Sequence, residues 1–521
     1  MNREQERAEL HKTIWAIANE LRGSVDGWDF KQYVLGMLFY RFISENLTNR
    51  INKNEIDAGH KDFDYKKFKD NEISDEHKRD IVHEEGFFIA PSELFANVLA
   101  NAKNNKNLNE TLDKIFRNIE NSAKGTESEK SIKGLFDDID VNSSKLGDTV
   151  DKRKERLIRI MNAINDLKLG INSEVNIDVV GDAYEYLMKM YASTAGKSGG
   201  EFYTPQEVSE LLAKITLVGQ ATINKIYDPA CGSGSLMLKF PQILGRENIK
   251  GKFYGQEINI TTFNLCRMNM LLHGINYNDF NIARGCTLTA PEHWDKQPFD
   301  VIVSNPPYSI KWPGDSDATL INDPRYAPAG VLAPKSKADL AFTMHMLTWL
   351  SEKGTAAIVE FPGVLYRGGA EQKIRKYMVD NNYVDCIIQL PSNLFFGTSI
   401  ATCIMVLKKN KSNNDILFID ASNEFEKASN NNKLSETNIE KILNVFKNKE
   451  GIEYLSKLVS ANEIEANDYN LSVSTYIEKE CTKEVINIKV LNQEIKEIVK
   501  KQSKLRIELD EIIKSIEAEH A

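Results

Sequence analysis

The apolar run Val301-Ile302-Val303 ends at Asn305-Pro306-Pro307, and this juncture limits the fold of the chain more than any other stretch. Consecutive β-branched residues mark a strand buried within a parallel sheet. Proline has no N–H for a ladder, and Pro306 also holds Asn305 out of the helical region. The strand therefore stops and delivers an amide side chain, a stiff turn and the ring of Tyr308 to the carboxyl end of a sheet. In open α/β sheets that edge is where ligands bind. The side-chain carbonyl of Asn305 and the backbone carbonyl of Pro306 are two acceptors at a fixed spacing, suited to an NH2 group on a planar ring or amide. Holding both N–H bonds favours a tetrahedral nitrogen with a localised lone pair, without a strong base. Tyr308 can stack on such a planar substrate. Turns use the same residue types, so the surroundings have to decide.

Those surroundings repeat the strand-then-chemistry pattern. Lys225-Ile-Tyr-Asp228 predicts a short strand, followed by the small-residue turn Pro229-Ala-Cys-Gly-Ser-Gly-Ser235 and a helix from near Ser235. Gly232 and Gly234 let a ligand approach the backbone, and a helix N-terminus there would favour a carboxylate or phosphate. Position 237 is Met237 where a dinucleotide fingerprint has its third glycine, so a dinucleotide is disfavoured. Phe253–Glu257 predicts a second strand ending in an acid. Nucleoside-binding folds place an acid about 20 residues beyond the glycines, on the ribose hydroxyls. Upstream, a loop over residues 193–200 leads into Glu201-Phe-Tyr-Thr-Pro-Gln206. Thr204 reads as an N-cap and Pro205 as the first residue of a helix through Ile215. Tyr191 stands where a Walker motif needs glycine, which removes a P-loop reading of Gly196-Lys-Ser.

Beyond Tyr308 a long loop reaches about Lys337, and its Lys311, Trp312, Arg325, Tyr326, Lys335 and Lys337 would suit nucleic acid, though most such charges are merely solvated. A βα rhythm then resumes through helix 339–350, strand 356–361, helix 371–381 and strands 384–390, 400–407 and 416–419. Leu394-Phe-Phe-Gly-Thr398 carries two adjacent aromatics, which cannot both face inward on one strand. One of Phe395 and Phe396 is therefore free to line a cleft. Residues 1–170 read as helical, with Tyr33, Val34, Met37, Leu38 and Phe42 on one face. Leu491, Ile495, Ile498, Gln502, Leu505, Leu509, Ile512 and Ile516 form a heptad seam with one polar position, and predict a helix packed on another helix.

At 521 residues two or three domains are expected. The formal charge of −9, from 66 basic and 75 acidic residues, argues against a chain that finds a DNA sequence by itself. The six scattered cysteines read as reduced thiols, and neither they nor the eight histidines have metal-ligand spacing. No metal site is expected. No run matches a membrane span or a signal peptide, which predicts a cytoplasmic protein with no membrane contact.

On Glu201–Gln206, Asp228–Ser235, Glu257 and Asn305–Tyr308, in that order, the chain resembles the methylation subunits of type I restriction-modification systems, DNA adenine-N6 methyltransferases that use S-adenosylmethionine. The likeness covers nearly the whole chain. It implies a doubly wound α/β S-adenosylmethionine-dependent methyltransferase fold over residues 171–475, a helical N-terminal domain over 1–170 for DNA or partner contacts, and a coiled-coil-like tail over 476–521. Glu201, Phe202, Tyr203, Thr204, Pro205 and Gln206, with Asp228, Gly232, Ser233, Gly234 and Ser235, would hold the methionine part of the cofactor. Glu257 would take the ribose. Asn305, Pro306, Pro307 and Tyr308 would grip a flipped adenine, with Phe396 or Phe395 on its other face. Cys286 stands where relatives often carry Asn, and its role stays open. The resemblance also implies partners: double-stranded DNA, a specificity subunit binding two methylation subunits, and a restriction subunit. Two other functions fit the bare tetrad. One is methylation of another planar amine (cytosine N4, RNA guanine N2 or a protein glutamine), and the other is a scaffold without catalysis.

Overall fold

Strand β1 (Ile226–Asp228) sits inside a nine-stranded sheet because the chain builds outward from it in both directions. Strands β2 (Phe253–Glu257) and β3 (Phe280–Arg284) extend the sheet to one side, each parallel to the last. The chain then crosses over. Strand β4 (Phe299–Ser304) pairs parallel with the opposite edge of β1, Ile226 against Val301 and Tyr227 against Ile302, and β5 (Leu350–Glu360) follows it in parallel. Strands β6 (Val384–Gln389), β7 (Cys403–Lys408) and β8 (Ile416–Asp420) come next, a ribbon of β9 (Glu426–Lys427) and β10 (Asn432–Lys433) stands apart, and β11 (Ser456–Val459) closes the sheet. The order is β11-β8-β6-β7-β5-β4-β1-β2-β3. Strand β7 runs antiparallel between β5 and β6, since no helix lies among the described residues joining β6 to β7 and a parallel return needs such a crossover. The computed structural model describes residues 11–15, 27–167, 178–194, 203–396, 398–428, 431–478 and 488–519.

Helices cover both faces of the sheet, which explains the near-continuous apolar sequence of its inner strands. One core joins the sheet to α6 (Gln206–Thr216), part of α7 (Ile260–Leu272) and α10 (Glu436–Asn448). The other joins it to α8 (Asp339–Trp349) and α9 (Ala370–Asp380). A third core lies among the N-terminal helices α1 (Gly27–Asp57), α3 (Leu108–Ser122) and α4 (Val150–Asn165), and takes in α5 (Asp178–Thr194) and one face of α7. A further helix, α2 (Asp75–Glu85), lies between α1 and α3 in the chain.

Arg267 on α7 staples these N-terminal helices to the sheet layer. Its guanidinium donates to the carbonyls of Lys130, Ser131 and Lys133 and to Asn264 Oδ1, and lies 4.2 Å from the centroid of the Phe263 ring. Residues Met1–Ile477 form one compact unit and Glu478–Ala521 another. The described part of the second unit includes the helix α11 (Ile488–Glu519), on which Leu491, Ile495, Ile498, Leu505, Leu509 and Ile512 are exposed. No described helix is long and apolar enough to cross a membrane.

Three local expectations change. The helix predicted from Ser235 begins only at Lys239 and ends at Leu244, because Gly232 and Gly234 adopt positive φ (52° and 81°) and keep the chain in a turn. No helix N-terminus therefore points at Gly232. The long loop after Tyr308 is fixed from within: Trp312, Arg325 and Tyr326 are buried, and Arg325 pairs with Asp323 at 2.6 Å while donating to the carbonyls of Thr287 and Leu288. These three side chains hold the loop and do not face nucleic acid. Finally, α6 begins at Gln206, with Pro205 in the cap position at ψ 137°, so Thr204, the predicted cap, lies one residue before the observed one.

Candidate active site

The crossover from β3 back to β4 makes the β1–β4 seam the switch point of the sheet, the crevice where such folds bind ligands. Asp228 ends β1 there and is almost fully buried. Its Oδ1 accepts the N–H of Ala230 at 3.0 Å and the hydroxyl of Ser304, at the end of β4, at 2.9 Å. Its Oδ2 is buried with no hydrogen-bond partner. Burial pushes the carboxyl up to about 7 despite those two donors, and Glu257 adds to the rise. Glu257 ends β2 and turns back to the glycine turn: Oε2 accepts the Gly232 N–H at 3.1 Å and Oε1 that of Asn259 at 2.8 Å. Burial raises its carboxyl too. Ile258, the next residue, is 68% exposed on this edge.

The tetrad leaves β4 beside this turn. The Asn305 Nδ2 donates to Thr204 Oγ1 at 3.0 Å, and the Asn305 Oδ1 accepts the Tyr308 hydroxyl at 2.5 Å. Thr204 is thus turned toward Asn305 instead of capping α6. Burial holds the Tyr308 phenol well above its ordinary range, reinforced by nearby Glu360, Cys403 and Asp339. Ser309, the next residue, has a positive φ of 52°, and its N–H donates to Asp339 Oδ1 at 2.9 Å. A non-glycine residue in that region carries strain that its surroundings must sustain. The two aromatics after β6 separate, although they lie in a bend and a turn outside any strand. Phe395 is core, while Phe396 is half-buried and its ring centroid lies 6.2 Å from that of Tyr203. Tyr203, Thr204, Pro205, Gln206, Asp228, Gly232–Ser235, Glu257, Asn305–Tyr308 and Phe396 are all described; Glu201 and Phe202 lie outside the described residues.

The model of the N-6 DNA methylase family matches residues 175–485, and that of the HsdM N-terminal domain matches residues 10–164. The chain belongs to the N-6 DNA methylase family. The methylase subunit of the type I restriction enzyme MpnII from Mycoplasma pneumoniae is 50% identical over 99% of this chain and 98% of its own. The MjaVII methylase subunit of Methanocaldococcus jannaschii is 32% identical over 98% of this chain and 84% of its own. Among solved structures, the methyltransferase subunit of a type I restriction-modification system from Streptococcus thermophilus is 36% identical, with a TM-score of 0.81 over 91% of this chain and all of that one. Within the family the chain is thus one of the type I methylase subunits, and the match favours adenine N6 over the other planar amines and over a scaffold.

Two residues that hold this candidate site together escape a reading of the sequence. Glu185 on α5 accepts hydrogen bonds from Ser235 at 2.8 Å, Asn269 at 2.9 Å and the Gln206 amide. Asp339 holds the turn after the tetrad. Both act on partners far away in the chain, 50 residues for Glu185–Ser235 and 30 for Ser309–Asp339. The one local signal is weak: an acid between Tyr184 and Tyr186, in a stretch that carries no motif.

Proposed function

We propose that the chain methylates N6 of an adenine turned out of duplex DNA, with S-adenosylmethionine as donor, at sites chosen by a separate specificity subunit. The observation that carries this reading is the shared edge. The Asp228 turn and the Asn305–Tyr308 tetrad end two paired strands and are joined through Ser304. The chain thereby offers a cofactor shelf over β1 and β2 next to a base pocket over β4.

The residues present fit the cofactor. Asp228 keeps a buried Oδ2 without a donor, suited to an α-ammonium. The Glu257 oxygens retain lone pairs for ribose hydroxyls, exposed Ile258 offers an apolar cover for the adenine ring, and Gly232 and Gly234 permit close approach of the backbone. Ser233, Ser235 and the segment Glu201–Gln206 would enclose the methionine end. S-adenosylmethionine supplies a methyl group on a sulfonium, already activated. What remains is to bring the nucleophile to it.

Adenine inside a duplex cannot reach this crevice, so the base has to flip out. Asn305 Oδ1 and the Pro306 carbonyl would then accept the two N6–H bonds, with Pro307 stiffening the turn. The Tyr308 hydroxyl has to release Oδ1 as the base enters, which frees its ring to lie against the purine. Phe396 would cover the other face. Two acceptors on one NH2 group localise its lone pair toward the methyl, and positioning supplies most of the acceleration. The test is transfer of labelled methyl to DNA by the chain with its specificity subunit, followed by nucleoside analysis. Label in N6-methyladenine supports the reading; label in N4-methylcytosine, or no label with any specificity subunit, refutes it.

The acidic balance of the chain fits delegated sequence reading. The exposed seam of α11 is the docking element proposed for the specificity subunit, two such chains per specificity subunit. A restriction subunit would add ATP-driven translocation and cleavage in the full, cytoplasmic complex.

A further inference from the structure

We infer that Glu185 is a positioning residue for the cofactor shelf: its carboxylate, carried by α5, orders Ser233, Ser235 and Gln206 around the methionine end of the donor. The inference rests on the cofactor reading above and assigns a role to a residue outside all the motifs. Four separate segments meet at this one side chain. The Ser235 hydroxyl donates to Oε1 at 2.8 Å, the Asn269 amide to the same oxygen at 2.9 Å, and the Gln206 amide to Oε2. The Asn269 amide also donates to the Ser233 carbonyl at 3.0 Å, and the hydroxyls of Ser233 and Ser235 lie 2.9 Å apart. The cofactor turn and the start of α6 are therefore tied to one anchor.

That anchor is held firmly. Gly181, one turn earlier on α5, packs so closely on His273 that a Cβ would come within 2.5 Å of its Nε2. The buried Tyr184 donates to the Leu265 carbonyl at 3.4 Å. Hence α5 is locked against α7, and the carboxylate cannot drift from the turn. These three donors are neutral, so they satisfy the carboxylate without cancelling its charge.

The role predicts a selective defect. S-adenosylhomocysteine carries the amino-acid end, whereas 5′-methylthioadenosine shares its nucleoside and lacks that end. Calorimetric titration of the full chain with each compound reads the difference. Glu185→Ala should weaken S-adenosylhomocysteine about tenfold, or ~1.4 kcal/mol, and leave methylthioadenosine nearly unchanged. Glu185→Gln keeps an acceptor for Ser235 and Asn269 and should restore most of the affinity. If Glu185→Ala does not fold, Glu185→Asp, which withdraws the carboxylate by one methylene, decides in its place with the same selective loss expected. Equal weakening of both compounds, or no weakening of either, would overturn the assignment. A wild-type chain that binds neither compound would instead overturn the cofactor reading beneath it.

Discussion

At the scale of single residues, Thr204 illustrates how one hydroxyl can be claimed by either of two roles. The sequence offers it as a helix cap, and the fold turns it to the Asn305 amide, 101 residues away. If it orients that amide, Thr204→Val should lower kcat about 10- to 100-fold while S-adenosylhomocysteine binds as before, and Thr204→Ser should recover most of the rate. Parallel loss of both quantities would show that Thr204 serves the cofactor instead. Asp228 makes a second residue-scale prediction. Its folded value near 7 lies above its ordinary 3.8, so the folded state binds more protons between these limits. The stability this group contributes is present below 3.8 and is lost as pH rises through about 7. An α-ammonium on Oδ2 needs the ionised form, so S-adenosylhomocysteine affinity should rise between pH 6 and 8 and then level off. In Asp228→Asn, calorimetry should find weaker binding and a flattened pH profile.

At the scale of elements, α7 joins two layers, since one of its faces packs under the sheet and Arg267 on another reaches the N-terminal helices. Burial draws the Arg267 guanidinium down to about 10, and its donors satisfy three carbonyls that no water replaces easily. Arg267→Met should cost about 3 kcal/mol in urea unfolding, with both layers loosening together. What the sequence makes legible follows from covalent neighbourhood. Strand, acid and glycine turn at Asp228–Ser235, acid at Glu257, and strand with proline stop at Asn305–Tyr308 are contiguous patterns, and each lies where its pattern predicts. Phe395 and Phe396 also separate, one core and one half-buried, but they lie outside any strand, so strand alternation is not the cause. Glu185, Asp339 and the true partner of Thr204 are illegible because their meaning lies in contacts between distant segments. The helix misplaced at Ser235 has a local cause. Two glycines at positive φ extend the turn, and no spacing rule sets how far.

At the scale of the whole molecule, the proposed function divides chemistry and choice of site between chains. The unit Met1–Ile477 holds the crevice, while the seam on α11 offers apolar side chains to solvent. Exposed apolar rows of this kind mark interaction sites. Removing residues 487–521 should abolish assembly with the specificity subunit in size-exclusion chromatography and leave S-adenosylhomocysteine binding intact; unchanged assembly would assign docking to another surface. The division also sets the most direct test of the central claim, that Asn305 presents the adenine amine to the methyl donor. In the complex with its specificity subunit, Asn305→Ala should bind S-adenosylhomocysteine and DNA as the wild type does. Its single-turnover rate of methyl transfer should fall by about 100- to 1000-fold. Wild-type turnover in that variant would contradict the account.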